Sequence, residues 1–149
     1  MPIHYDAQDI ANYFLWKAQN EDQELLSNMK LQKLMYYAQG LHFALHGIPL
    51  FNDKIEAWTY GPVVPYLYHY YKHYEAAGIP ADSSFDPSII DNDTKEFLED
   101  IFDVFGQFSA IRLMEIAHSD KCWKDAGIGN EITLDSMKKC LLKKYVKNG

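Results

Sequence analysis

Between Asn28 and Tyr74 a long helical pattern with KLQKLMYYAQG at its centre runs into an EAWTYGPVVP break, and this junction limits the fold more than any other feature. Ser27 caps the helix, Leu31, Leu34, Met35, Ala38, Leu41 and Leu45 recur on one face, and Gly47 followed by Pro49 stops it. Over residues 50–60 the period changes. Asn52-Asp53 marks a turn, then Ile55, Ala57 and Thr59 alternate with Trp58 opposite, which predicts a small hairpin or an extended arm. Pro62 suits the first turn of a third helix reaching about Ala77, and Pro65 still falls within that turn. The stretch also holds eight of the chain's 11 tyrosines and four of its six histidines, so it is either an unusually aromatic core or a surface built to grip.

The remaining punctuation extends the same architecture. Asp6 caps a helix over residues 6–20 that ends at the polar NEDQE break, and Gly78 to Pro87 is a loop. A fourth helix spans about Asp91 to Phe105 and stops at Gly106, a fifth runs from Ser109 to His118, and Gly127 to Asn130 forms a second loop. The last helix begins at Thr133 or Asp135 and reaches about Val146, giving a Lys-rich C-terminal helix over roughly 133–147. The expectation is a mainly α protein: one domain over residues 1–149, about six helices, and a short β-hairpin or extended arm around residues 50–60.

Charge narrows the partners. Residues 1–130 carry 19 acids against nine Lys or Arg, while residues 131–149 carry two acids against five Lys. An acidic body repels a polyanion, so direct nucleic-acid binding is not expected. Lys138, Lys139, Lys143, Lys144 and Lys147 read as a solvated helix face whose cations suit the negative end of the helix dipole. Arg112 is the sole arginine, which rules out paired Arg clamps on phosphate or carboxylate. No apolar run reaches the ~20 residues of a spanning helix, and the MPIHYDAQDI start lacks a secretory pattern, so a cytoplasmic address is expected.

Chemistry-bearing patterns are weak. His42 with His46, and His69 with His73, have the four-residue spacing of two-His metal sites, but neither pair encloses a carboxylate that could serve as a base. They read as boundary residues of amphipathic helices, and no metal or other cofactor is expected. Cys122 follows His118 by four residues, so a Cys–His dyad is conceivable, yet such dyads normally assemble from distant segments. Cys122 and Cys140 fall in different elements without metal-type spacing, and no disulfide is expected. The eight carboxylates between Asp82 and Asp103 lack the order of a calcium loop and read as an acidic solvated face. A small metal- or Cys-dependent enzyme is therefore a secondary reading only.

The aromatics carry more weight. YLYHYYKHY places tyrosines at 66, 68, 70, 71 and 74, too much circumference for one buried stripe. Tyr66, Tyr70 and Tyr74 can share one face, leaving Tyr68 and Tyr71 on others. Some of these rings must then lie at a rim, where tyrosine is enriched in protein–protein hot spots.

The combined pattern resembles the Panacea domain, formerly a domain of unknown function and a phage-associated protein type. Lys30-Leu31-Gln32-Lys33-Leu34, Tyr36-Tyr37, Gln39-Gly40, Glu56-Ala57-Trp58 and Tyr60-Gly61-Pro62-Val63 carry the resemblance, and His118 followed by Trp123 resembles the family's C-terminal feature. It spans about residues 8–125. What it implies is an antitoxin that neutralises a cognate toxin by direct binding, with no enzymatic activity. One branch of the family is similar to adaptors that deliver a bound toxin to an ATP-dependent protease. Some members carry DNA-binding fusions, for which this chain has no room, so repression is not expected here. Leu31, Leu34 and Trp58 then define the fold. Tyr60, Gly61, Pro62, Val63, Tyr68 and Tyr71 are the expected partner-binding residues, because a Gly-Pro break exposes backbone and side chains together.

Overall fold

In the computed structural model, which describes residues 5–21 and 24–146, one helix serves as the axis of the protein. This is α2 (Asn28–His46), and from Leu31 to Leu41 every one of its residues is buried. A helix buried around its whole circumference needs neighbours on all sides. They are α1 (Ala7–Asn20), α4 (Asn92–Phe105), α5 (Ala110–His118) and α7 (Leu134–Tyr145), with α3 (Pro65–Tyr71) and a small sheet closing the remaining side. The expected mainly α domain is present. Its six expected helices are joined by a short seventh, α6 (Lys121–Ala126), and by 3-10 turns at Lys72–Tyr74 and Pro87–Ile89.

Local chemistry explains the boundaries. Ser27 Oγ accepts from the Lys30 amide at 3.2 Å to start α2, and Gly47 ends it in the left-handed region at φ 72°. Asp91, Ser109 and Thr133 cap α4, α5 and α7 in the same manner. Much of the acidic run is thereby used locally, since Asp82 and Asp86 also accept from the amides of Ser84 and Ser88 in tight turns. Along α4, Leu98, Ile101, Phe102 and Phe105 face inward at helical spacing. Phe105 stacks on Tyr37 of α2 with ring centroids 4.0 Å apart and planes 4° from parallel.

Two details depart from the sequence pattern. Leu45 does not share the buried face of α2 and is 49% exposed, while His42 and His46 of the same last turns pack on Phe97 of α4. Pro62 does not open the third helix. It lies in β2 (Gly61–Val63), which pairs antiparallel with β1 (Ile55–Trp58) in the register Glu56–Val63, Ala57–Pro62 and Trp58–Gly61. The hairpin turn is Thr59-Tyr60, and β3 (Glu131–Ile132) adds to the other side of β1. β2 is an edge strand, the position in a sheet that tolerates proline. Consequently α3 starts at Pro65 and ends at Tyr71, well short of Ala77.

The wrapped axis forces its polar residues to find partners inside. Gln39 donates to the Phe51 carbonyl at 2.6 Å and accepts from the Leu50 amide at 2.8 Å, which fixes the chain leaving α2. Gln32, two turns earlier, accepts from the Val64 amide at 2.8 Å and fixes the exit of the hairpin. Tyr36 and Tyr37 both donate to buried Asp120, at 2.9 and 2.8 Å. Lys144 and Tyr145 of α7 complete that network at 2.8 and 3.0 Å. Lys144 stays exposed like the solvated lysines of the C-terminal helix while its ammonium also reaches buried Asp120, and Lys147 lies outside the described residues. Gly40 lets α7 approach, since a Cβ there would lie 2.4 Å from Leu141 Cδ1. Cys122 and Cys140 are brought together as free thiols, the Cys122 amide lying 3.3 Å from Cys140 Sγ. Among the described residues no helix is long and apolar enough to cross a membrane.

Candidate functional site: a groove beside the hairpin

The β1–β2 hairpin is held down at its tip. Trp123 Nε1 donates to the Trp58 carbonyl at 3.0 Å, and the His118 ring, 4.4 Å from that of Trp123, reaches the Thr59 carbonyl with Nε2 at 3.0 Å. The His118…Trp123 pair of the sequence thus has a geometric role. Two donors from α5 and α6 pin consecutive carbonyls where β1 enters the turn. His118 faces the hairpin while Cys122 lies 3.1 Å from the Tyr36 hydroxyl, so the two do not form a hydrogen-bonded dyad. The contact with Cys140 and burial push the Cys122 thiol well above its usual range, the wrong direction for a nucleophile, while the same contact lowers Cys140.

Beside the pinned hairpin lies a groove of about 740 Å3. Its walls come from the first turn of α2, the hairpin, the end of α3, the start of α5 and the loop before β3. The lining is mostly apolar, with Trp58, Tyr60 and Tyr68 on the hairpin and α3, and Ile111 and Ile128 from α5 and the loop. Tyr60, Ile111 and Ile128 are each more than 60% exposed, which concentrates large exposed apolar side chains around one concavity. Volumes of roughly 300–1,000 Å3 are typical of sites that take up ligands or partner side chains.

Lys33 lies at the buried side of this groove, only 1% exposed. Its stem runs past the hairpin at Gly61, where a built Cβ would be 2.6 Å from Lys33 Cε and 3.3 Å from Nζ. Gly61 also has φ 113°, a conformation that calls for glycine, and any side chain there would displace the end of Lys33. Burial lowers the pKa of the Lys33 ammonium from 10.5 to about 8, and no acidic group offsets it. Glu75 and Lys72 stand elsewhere on the lining.

The six expected partner-binding residues are divided by the structure. Tyr60 is 64% exposed and Tyr68 half-buried against Trp58, its ring 5.0 Å away, and both line the groove. Gly61, Pro62 and Val63 are buried in β2, though Val63 still contributes to the lining. Tyr71 is buried with Leu67, its hydroxyl accepting from Gln8. The inward stripe of α3 is therefore Leu67–Tyr71, because Leu67 is its one aliphatic residue. Tyr66 and Tyr70, assigned by spacing to a common face, do share one, but it points to solvent at 56% and 55% exposure. The two His pairs occupy separate surroundings: His42 and His46 pack on Phe97, whereas His69 packs on Trp58 and Tyr68. Among the described residues no three His, Cys, Asp or Glu side chains converge as a metal site. Sequence reasoning missed Lys33 and Asp120. The available signal for Lys33 was a charge amid the apolar positions of a helix long enough to be central.

Comparison with known proteins bears on this geometry. The family model described as Antitoxin SocA-like, Panacea domain, matches residues 31–124, which include most of α2, the hairpin and the His118–Trp123 pins. Antitoxin SocA of Caulobacter vibrioides (strain NA1000 / CB15N) is 34% identical over 128 residues, covering 79% of this chain and 68% of that protein. No solved structure matches the chain.

Proposed function

Because the chain belongs to the antitoxin SocA-like Panacea domain family, we propose that it neutralises a protein toxin by binding it directly at the groove beside the hairpin. The observation that supports this site is the cluster of exposed apolar side chains, Tyr60, Ile111 and Ile128, around a concavity anchored by the family's own motif residues. Tyr60 and Tyr68 supply rigid rings with polar tips, the side chains that most often dominate binding energy at interfaces. The hairpin that carries Tyr60 is pinned by Trp123 and His118, so little order remains to be imposed on association. A stable complex would bury on the order of 1,200–2,000 Å2 in total, so the groove is the centre of a larger contact.

In this reading the protein is a binder and not an enzyme, and its partner is a toxin met in the cytoplasm. The test is to express the neighbouring reading frame alone and together with this protein. Rescue of growth with co-purification of the two chains is the expected result. Tyr60→Ala combined with Ile111→Asp, both exposed positions, should abolish co-purification while the domain keeps its circular dichroism spectrum and Tm. Retained complex in that double variant overturns the site. Rescue accompanied by disappearance of the toxin from cells, dependent on an ATP-dependent protease, would replace occlusion by delivery for degradation.

A further inference from the structure

Every buried polar side chain that α2 turns inward has a partner except one. Asn28 donates to the Tyr68 carbonyl, Gln32 and Gln39 hold backbone amides, and Tyr36 and Tyr37 hold Asp120. Even Lys30, less deeply placed, donates to the Gly106 carbonyl at 2.6 Å. Lys33 is 1% exposed and its ammonium makes no hydrogen bond or ion pair among the described residues. Its ammonium is not sealed off, since the one enclosed side-chain atom without a partner among the described residues is Gln8 Oε1. Lys33 meets solvent only through the groove, so a largely desolvated cation faces the place where an anion would offset part of its cost.

We propose that the groove is an anion-accepting site in which Lys33 receives the carboxylate of an acidic side chain, carried on an otherwise apolar segment of the toxin. This deepens the binding reading above and rests on it for the identity of the partner. Three features of the site select that chemistry. The first turn of α2, a 19-residue helix, opens onto the groove without an acidic residue, so the positive end of its dipole adds to the lysine. The anchor is a single primary ammonium, which matches one negative charge. A phosphate dianion calls for several donors or a guanidinium, and Arg112 is instead paired with Glu115. Finally, the walls are apolar on the hairpin, on α3, on α5 and on the loop before β3, and the volume exceeds that of one side chain. An internal Asp or Glu brings apolar neighbours in both chain directions to fill those walls, which a chain terminus does not. The body of the protein is acidic, whereas the groove lining carries Lys33 and Lys72 against Glu75, so the groove would discriminate among partners by charge as well as shape.

Two measurements on the full chain test it. In the first, 4-phenylbutyrate and its neutral amide are titrated into the protein labelled with 13C at lysine Cε, with Lys33→Met identifying the resonance. The carboxylate should shift the Lys33 signal and the amide should not; no response of Lys33 to the carboxylate overturns the anion site. In the second, affinity for the product of the neighbouring reading frame is measured calorimetrically for wild type, Lys33→Met and Lys33→Arg. A loss of 30-fold or more in Lys33→Met, partly recovered in Lys33→Arg, supports the proposal, provided urea unfolding shows Lys33→Met to be folded. Binding within threefold of wild type in Lys33→Met overturns the assignment to the toxin. If wild type binds the carboxylate probe but not that product, the toxin-binding reading fails while the anion site stands. Loss of toxin binding on removal of the toxin's last residues, with every internal acidic residue dispensable, overturns the choice of a side-chain carboxylate.

Discussion

Lys33→Met removes a charge that the fold buries without a partner, so the free antitoxin should become more stable. Burial lowers the folded-state pKa from 10.5 to about 8. At about 1.4 kcal/mol per unit, that displacement corresponds to a penalty of roughly 3 kcal/mol for holding the ammonium charged in the folded state. The sign follows from proton linkage. Below pH 8 both folded and unfolded chains carry the proton and the full penalty is present. As the pH rises from about 8 towards 10.5 the folded lysine is neutral while the unfolded one still binds its proton, so wild-type stability gains on the variant. Methionine keeps most of the apolar stem beside Gly61 and contributes no charge. The expected advantage of Lys33→Met is about 3 kcal/mol at pH 7, shrinking to about 1.5 kcal/mol near pH 9.5. Urea unfolding at the two pH values, read as a midpoint shift at constant slope, measures it. Tyrosine ionisation enters both proteins alike and cancels in the difference. A variant no more stable than wild type at pH 7, or an advantage that does not shrink with pH, refutes the reasoning.

Other outcomes follow from the same contacts. Tyr37→Phe removes one of the four donors to buried Asp120 and should cost about 1.5–3 kcal/mol in urea unfolding, as expected for a buried hydrogen bond to a charged group. Gly40→Val places branched carbon where a Cβ alone would be 2.4 Å from Leu141 and 3.3 Å from Met137, so α7 must move away. A loss of about 1–3 kcal/mol is expected, together with faster proteolysis of the C-terminal helix. Tyr71→Ala empties a buried site between α3 and α1 and should lower Tm by several degrees, whereas Tyr66→Ala and Tyr70→Ala, at exposed positions, should leave Tm unchanged. Changing His42, His46, His69 and His73 together to Gln should leave toxin neutralisation intact; its loss, with loss of stoichiometric zinc from a folded protein, would revive an enzymatic or metal-dependent reading.

What the sequence determined by itself is the set of elements. Helix starts and stops are local events: Ser27, Asp91, Ser109 and Thr133 satisfy amides three residues ahead, and Gly47 meets a left-handed stop. Such signals can be read residue by residue, as can the family motif. The hairpin was legible in kind but not in extent, because Pro62 is compatible with a helix start and with an edge strand, and only β1 beside it settles the matter. Spacing put Tyr66 and Tyr70 on one face, but which face turns inward was not legible. With rings at five of nine positions along Tyr66–Tyr74, periodicity cannot choose the inward stripe; Leu67 and the hydroxyl contact of Tyr71 with α1 choose it. Lys33 and Asp120 lay beyond the sequence for a related reason. A charge reads as surface until other elements close over it, and here five helices and a small sheet close around α2. Asp120 is then answered by residues more than 80 positions away in Tyr36 and Tyr37, while Lys33 is left facing the groove without an answer. The tertiary structure alone decides that difference, because desolvation and pairing are properties of the assembled interior and not of any segment.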